Sequence, residues 1–358
     1  MNNEKYSFLQ ISCIAMLSVG LLNHVLAIPV ILDVSGRDSW IAVIVSTILF
    51  IPVFIMIGYM MRKTDQQQIF DWLKSHYGKF ISMFFMIIFS IILFSSSALA
   101  LLDMTNWTTT SYLPNTPKTV VSLVFIALIY YAVSGGFRTI AFASSILLPF
   151  VILLGEFVMI SNIPYKDYSL LLPILEHGSK PVWNGIMYSS SGFIELILFI
   201  LVQHQLRKTV KKRHMLYIGL IVSGLTLGPL MGAIAEFGPA EASMQRYPAY
   251  EEWRLVTLGK YVEHLDFLSI FQWMSGAFIR TSIFLIFSTK FYSKPKLFLY
   301  IYMALLIGAV VYPFGDIALQ ETFKRVYFPI YFFSLFTCFI ILFLMILFSK
   351  KSTVVKQT

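Results

Sequence analysis

Charge is scarce in this chain, and cysteine scarcer. Only 13% of its 358 residues are Asp, Glu, Lys or Arg, about half the roughly 25% usual in globular proteins. The two cysteines, Cys13 and Cys338, both lie inside apolar runs and offer no disulfide framework, zinc spacing or redox motif. No nucleophile elbow, metal-ligand spacing or clustered acid–base set supports a membrane enzyme, and no cofactor is implied. The net charge of +9 comes without a nucleic-acid motif. The opening MNNEKYSF has few basic residues, and no A-x-A-like cleavage site follows the first apolar run, which therefore reads as a retained span.

What the chain has is hydrocarbon: 58% of its residues are hydrophobic, and they come in blocks. Ile41–Met61, Phe80–Leu102, Met215–Ala235 and Tyr327–Phe348 each exceed the ~20 helical residues that cross a bilayer core. The pattern predicts an all-α polytopic membrane protein forming one transmembrane domain over residues 1–358. Its ten transmembrane helices are expected near 8–31, 41–61, 80–102, 118–133, 138–161, 183–203, 214–235, 267–289, 296–314 and 327–349. With a cytoplasmic N-terminus, the inward segments hold seventeen of the 27 Lys and Arg residues, including the run Arg207–Arg213. Lys and Arg favour cytoplasmic loops, so both termini are expected inside, with membrane lipid as a partner of the basic surface. The outward segment 236–266 is acidic and predicts a short surface helix around Trp253–Val262. Inward, Gln68–Tyr77 reads as an interfacial amphipathic helix.

Two spans are interrupted at matching places. The first contains LSVGLLNHV (Leu17–Val25) and the sixth YSSSGFIEL (Tyr188–Leu196), with Gly20 and Gly192 separated by 172 residues, close to half the chain. Five spans precede the midpoint and five follow, so the second half enters the membrane from the opposite side. This is the pattern of a five-plus-five inverted repeat, about 8–161 and 183–349, with broken first and sixth helices. Unwinding at mid-membrane frees backbone N–H and C=O groups to bind a ligand. The competing reading is that Ser and Gly serve close helix packing. For Gly224, Gly228 and Gly232, on one face of the seventh span, packing is preferred.

Three ionisable residues lie within spans: Glu156, Glu195 and Arg280. Each costs about 2.5–3.5 kcal/mol at mid-span on insertion scales, which makes each a functional candidate. Glu156 is close enough to an outer end to reach the interface. Arg280 is expected to face the interior near Glu195 or the substrate, or to stand where related transporters hold a sodium ion. A purely structural Arg280–Glu195 pair remains open. His24 reads as a packing residue.

Several stretches resemble a known family. GRDSWIAVIV (Gly36–Val45), ELILFILVQHQLRK (Glu195–Lys208) and RLVTLGKYVEHLDFLSIFQWMSGAFIR (Arg254–Arg280, with Trp273) are similar, in order and spacing, to segments of the spore germination permeases, the B subunits of nutrient germinant receptors. The resemblance implies the amino acid–polyamine–organocation superfamily and a location in the inner membrane of bacterial endospores. It further implies A and C subunits as partners, and a small nutrient, often an amino acid, that triggers germination. In that family the pocket lies between spans one, three, six and eight. The matching positions here are Ser18, Val19, Gly20 and Leu21; Ile92 and Ser96; Gly192 and Phe193; and Ile279 and Arg280. Ser18 stands where the family's first span often has the first glycine of a Gly-x-Gly break. Val202 and Gln203 stand where a proline often follows the glutamate of span six. A ligand sensor on a transporter fold and an alternating-access amino-acid transporter fit the residue pattern equally; the resemblance favours the sensor.

Overall fold

A computed structural model describes residues 5–259, 263–311 and 315–349. Among these the chain is helical and contains no strand; an isolated parallel bridge joins Tyr6 to Leu206. Seven helical runs among the described residues are long and apolar enough to cross a membrane: Phe8–Lys63, Lys79–Ser111, Phe137–Ser161, Lys180–Gln205, Lys212–Phe237, Leu265–Lys290 and Ile317–Phe348. Lys118–Ser134 and Pro295–Val310 are shorter apolar helices.

The chain opens with α1 (Phe8–Leu21), started by a capping box in which the Ser7 hydroxyl accepts from the Gln10 backbone N–H and the Gln10 side chain accepts from that of Ser7. A π segment, Leu22–Ala27, leads into α2 (Ile28–Ser35). Gly36, with φ 52° and ψ −131°, turns the rod into α3 (Ser39–Lys63), a conformation that costs a glycine little. Then follow α4 (Ile69–Tyr77), α5 (Lys79–Ser111), α6 (Lys118–Ser134), α7 (Phe137–Ser161), α8 (Lys180–Ile194), α9 (Phe199–Val202), α10 (Lys212–Phe237), α11 (Pro239–Met244), α12 (Pro248–Arg254), α13 (Leu268–Lys290), α14 (Pro295–Val311), α15 (Asp316–Thr322) and α16 (Phe328–Phe348). The central rod α1 packs on α7, α10 and α13; α3 packs on α8 and α10; and α5 packs on α13.

The expected breaks of the first and sixth helices are not there: both stay wound. After Gly20 the helix widens into the π segment, where the Ile28 N–H reaches back to the Asn23 carbonyl. After Gly192 it tightens into a 3-10 turn, Glu195–Leu198. The backbone groups are redirected, not released. Proline explains the first case. Pro29 has no N–H and its ring crowds the preceding turn, and the π segment ends two residues before it. The same spacing recurs at Phe323–Tyr327, the π segment two residues before Pro329.

Two other expectations are corrected, for the acidic segment and for the α10 glycines, while the amphipathic helix expected over Gln68–Tyr77 is present as α4. The acidic segment holds two short helices, α11 and α12; α12, the nearer to the expectation, begins at Pro248 and ends at Arg254, so it lies N-terminal to the expected Trp253–Val262, and residues 260–262 lie outside the described residues. The apolar face of α4 packs inward, with Phe70 against Phe89 and Phe291, and the Phe70 carbonyl accepts from the Ser82 hydroxyl. Its Ile69, Phe70, Trp72 and Leu73 are buried in protein. Of the three α10 glycines expected to pack, Gly232 alone packs closely, against Glu252, whereas Gly224 and Gly228 face open space, where an added Cβ would meet nothing within 4 Å.

Candidate functional site

The densest polar cluster is built around Arg280. It lies on α13 with 0% exposure, too far from either helix end for its cation to reach water. Its guanidinium grips Glu195 with two parallel bonds, Nη1 to Oε1 at 2.8 Å and Nη2 to Oε2 at 3.0 Å. This is the bidentate geometry in which arginine and carboxylate pair most strongly. Nη1 also donates to the Ser18 carbonyl at 2.9 Å, and Nη2 to the Ser96 hydroxyl at 2.6 Å. The Ser18 carbonyl is available because the Leu22 N–H at the start of the π segment is shared between Ser18 and Val19.

The Arg280 Nε has no partner among the described residues, but the carboxylate is saturated. Besides Arg280, Glu195 accepts from the Ser18 hydroxyl at 3.1 Å and from the Tyr331 hydroxyl at 2.7 Å, filling its roughly four acceptor positions. Ser96 and Tyr327 share a further bond of 2.8 Å. The guanidinium carbon stands 4.6 Å from the centre of the Phe284 ring, one turn along α13. One ion pair thus ties together α1, α5, the 3-10 turn after α8, α13 and α16. The sequence singled out Ser18, Ser96, Glu195 and Arg280. It missed Tyr327 and Tyr331, for which the π-to-proline spacing before Pro329 is the available signal.

Gly192 has a different job. A Cβ built there would lie 1.7 Å from the Asn23 Oδ1, so α8 approaches the π segment only because the side chain is missing. Asn23 in turn donates to Thr226 on α10 at 2.8 Å. Phe193 is buried against Phe50 and Phe54, and Ile92 and Ile279 are buried core residues. Val19 borders a small cavity of about 40 Å³ below the ion pair.

Gly20 and Leu21 border a much larger cavity, about 250 Å³, on the other side of α1. Its walls come from α1, α7, α10, α12 and α13, and it reaches His24, Glu156, Gly224, Gly228 and Trp273. An added Cβ at Gly20 would meet nothing within 4 Å. Trp273 stacks on Trp107 at 4.0 Å, and the Trp253 indole N–H donates to the Gln272 amide oxygen at 2.8 Å.

At the α12 end of this cavity lies a second charged group. Lys166 pairs with Glu236 at 3.4 Å, and Asn162 donates both to Glu236 at 3.1 Å and to the backbone carbonyl of Glu252 at 2.7 Å. Burial, helped by the charge of Glu236, pushes the Glu252 carboxyl well above the usual carboxylate range, with Lys166 pulling it back. Near the same end Arg246 pairs with Asp103 at 2.5 Å. The expected third span stops at residue 102, but α5 runs on to Ser111, so Asp103 is part of the helix. At the opposite end of the bundle, Lys5, Lys74, Lys79, Arg138 and Lys290 surround a cavity of about 1130 Å³. Among the described residues, no group of three or more His, Cys, Asp and Glu is placed to hold a metal ion.

Comparison with known proteins agrees with this helical, apolar chain. The spore permease family model, described as spore germination protein, matches residues 5–312. Spore germination protein XB of Bacillus anthracis is 41% identical over 353 residues, covering 96% of this chain and 98% of that protein. Spore germination protein A2 of Bacillus subtilis is 24% identical over 362 residues, 97% and 96% of the two chains. Spore germination protein GerQB of Bacillus cereus is 24% identical over 246 residues, 66% of each. With a family match over most of its length and a relative this similar end to end, the chain belongs to the spore germination permease family, as a multi-pass membrane protein of spore germination.

Proposed function

We propose that this chain is the membrane subunit of a nutrient-germinant receptor, binding a small nutrient of the amino-acid class to trigger germination. The observation that carries the reading is the 250 Å³ cavity, walled on one side by Gly20 and Leu21, in a member of a spore germination family. The same rod, α1, also supplies Ser18 to the Arg280–Glu195 pair. A ligand that binds one arrangement of α1 and α13 better than another shifts the balance between them. Partner A and C subunits in the spore inner membrane would read that shift. Ser18, Val19, Ile92, Ser96, Gly192, Phe193, Ile279, Arg280 and Glu195 then form the support that couples the cavity to the bundle.

The architecture behind this reading is ten crossings in two inverted halves. It is supported by the pairing of irregular turns after Gly20 and after Gly192, which meet where Gly192 lies against Asn23. In this reading both termini lie in the cytoplasm. Five of the cations expected inward line one cavity at one end of the bundle, as the positive-inside rule leads one to expect.

The test is a germination screen against a nutrient panel, using spores that lack this chain and its paralogues, with and without the chain restored. Restored response to one nutrient class supports the receptor; no difference for any nutrient contradicts it. An alternating-access transporter is the second reading, favoured by a cavity walled by several helices. It predicts gradient-driven accumulation of labelled amino acid in proteoliposomes holding the isolated chain, where the receptor predicts binding without accumulation.

A further inference from the structure

Two carboxylates, Glu156 and Glu252, line the large cavity against one cation, Lys166, which pairs with Glu236 beside it. Glu156 is exposed, whereas Glu252 is only 6% exposed. Its Oε1 has no hydrogen-bond partner among the described residues. A buried acceptor left open is costly, and it calls for a partner from outside the chain, a ligand or a water. The placement of Glu252 is fixed. Its backbone carbonyl is held by Asn162 at 2.7 Å, and its Oε1 lies where a Cβ on Gly232 would come within 3.3 Å. Gly232 thus makes room for a carboxylate held at the end of the cavity.

The remaining wall specifies the rest of the ligand. Gln272 is used at both ends, accepting from the Trp253 indole and donating to the Val151 carbonyl at 2.9 Å. Trp253, Trp273 and Tyr250 bring aromatic surface, while Gly20, Gly224 and Gly228 leave the opposite wall open. An anion would meet Glu252 unfavourably, and a polyol would find few free partners. A primary ammonium has three donors for the carboxylate and is attracted by aromatic faces; an apolar body suits the open wall.

We propose that this cavity binds a small primary amine with an apolar or aromatic body, its ammonium docking on the Glu252 carboxylate. This deepens the receptor reading and rests on it for biological meaning. The site lies on the α7, α10 and α12 side of α1, away from the Arg280–Glu195 pair.

The test uses the purified full-length chain in lipid nanodiscs. L-phenylalanine, L-leucine and 2-phenylethylamine are titrated alongside 3-phenylpropionate, which keeps the ring and carboxylate but lacks the amine. At least one amine-bearing probe is expected to bind, and 3-phenylpropionate is not. Glu252→Gln, close in shape but uncharged, should weaken amine binding roughly ten- to a hundredfold, as for a hydrogen bond to a charged group. Gly228→Leu, which fills the cavity from the other wall, should abolish binding without touching Glu252, and decides the matter if Glu252→Gln does not fold. Binding of 3-phenylpropionate as tight as that of L-phenylalanine, no binding of any amine, or unchanged affinity in a folded Glu252→Gln chain overturns the site. Spores separate the two levels. If loss of the chain abolishes a nutrient response and Glu252→Gln leaves its dose dependence intact, the receptor reading stands and this site is refuted. If the chain's loss changes no response while Glu252→Gln weakens amine binding in nanodiscs, the receptor reading fails and the site stands.

Discussion

Replacing Glu195 by Gln leaves the Arg280 guanidinium buried with no counterion, and arginine cannot shed its proton to escape. The amide still accepts one bond, but the charge is uncompensated. Breaking a buried pair from one side costs about 3–5 kcal/mol. Arg280→Met breaks it from the other side, leaving Glu195 with only the Ser18 and Tyr331 hydroxyls as donors. Each single variant should therefore lower the melting temperature by roughly 6 °C or more, taking the lower cost and about 2 °C per kcal/mol. The double variant Glu195→Gln/Arg280→Met carries no buried charge. Its loss should fall short of the sum of the two singles by up to about 3 kcal/mol, the upper range for residues in contact. Tryptophan-fluorescence melting of the four proteins in nanodiscs reads the cycle. Additive losses, or single variants that melt within a degree or two of the parent, would refute the claim that this pair ties the five elements together.

Other outcomes follow from the same contacts. Gly192→Ala forces Asn23 away from α8 and should destabilise by about 1–3 kcal/mol, as overpacking does; Gly224→Ala, which meets open space, should melt like the parent in the same scan. Tyr331→Phe removes one of the four donors to Glu195 and should cost about 1.5–3 kcal/mol, read by the same melts. Binding of L-phenylalanine should release a proton, because Glu252 is held above the usual carboxylate range when free and must ionise to meet an ammonium. Glu236 on α10 and Lys166 after α7 act on it directly, and Tyr250 on α12, Glu156 on α7 and His24 in the π segment after α1 line the same cavity. Affinity should rise with pH through the Glu252 range and level off above it. Calorimetry in buffers of different ionisation enthalpy checks this, and identical enthalpies would contradict it.

The helices and the Arg280 cluster are legible in the sequence for one physical reason: hydrocarbon solvent makes every deviation expensive. Apolar runs long enough to span must be helical, so the rods stand close to where hydropathy puts them. Arg280, Glu195, Ser18 and Ser96 stand out because polar groups at that depth need partners, and they find each other. The form of the irregular turns is not legible from Gly20 and Gly192 alone. Glycine permits a break but does not require one, and Pro29, nine residues on from Gly20, selects a π turn instead. The orientation of the α10 glycines is equally hidden, since a small residue looks the same in sequence whether a helix or a cavity lies against it. Glu252 sits in an acidic segment that reads as a solvated outer face. Only the fold of α12 against α7 and α10 turns Glu252 inward, beside the equally buried Glu236 side chain.

If the nutrient acts in the cavity beside Gly20, as proposed, then filling that cavity in steps must weaken the response. Spores carrying the parent chain, Gly20→Ala or Gly20→Leu as their sole receptor of this type, at matched protein abundance, are compared by nutrient dose–response. The half-maximal nutrient concentration is expected to rise in the order of added side-chain volume. Superimposable curves for all three would contradict it.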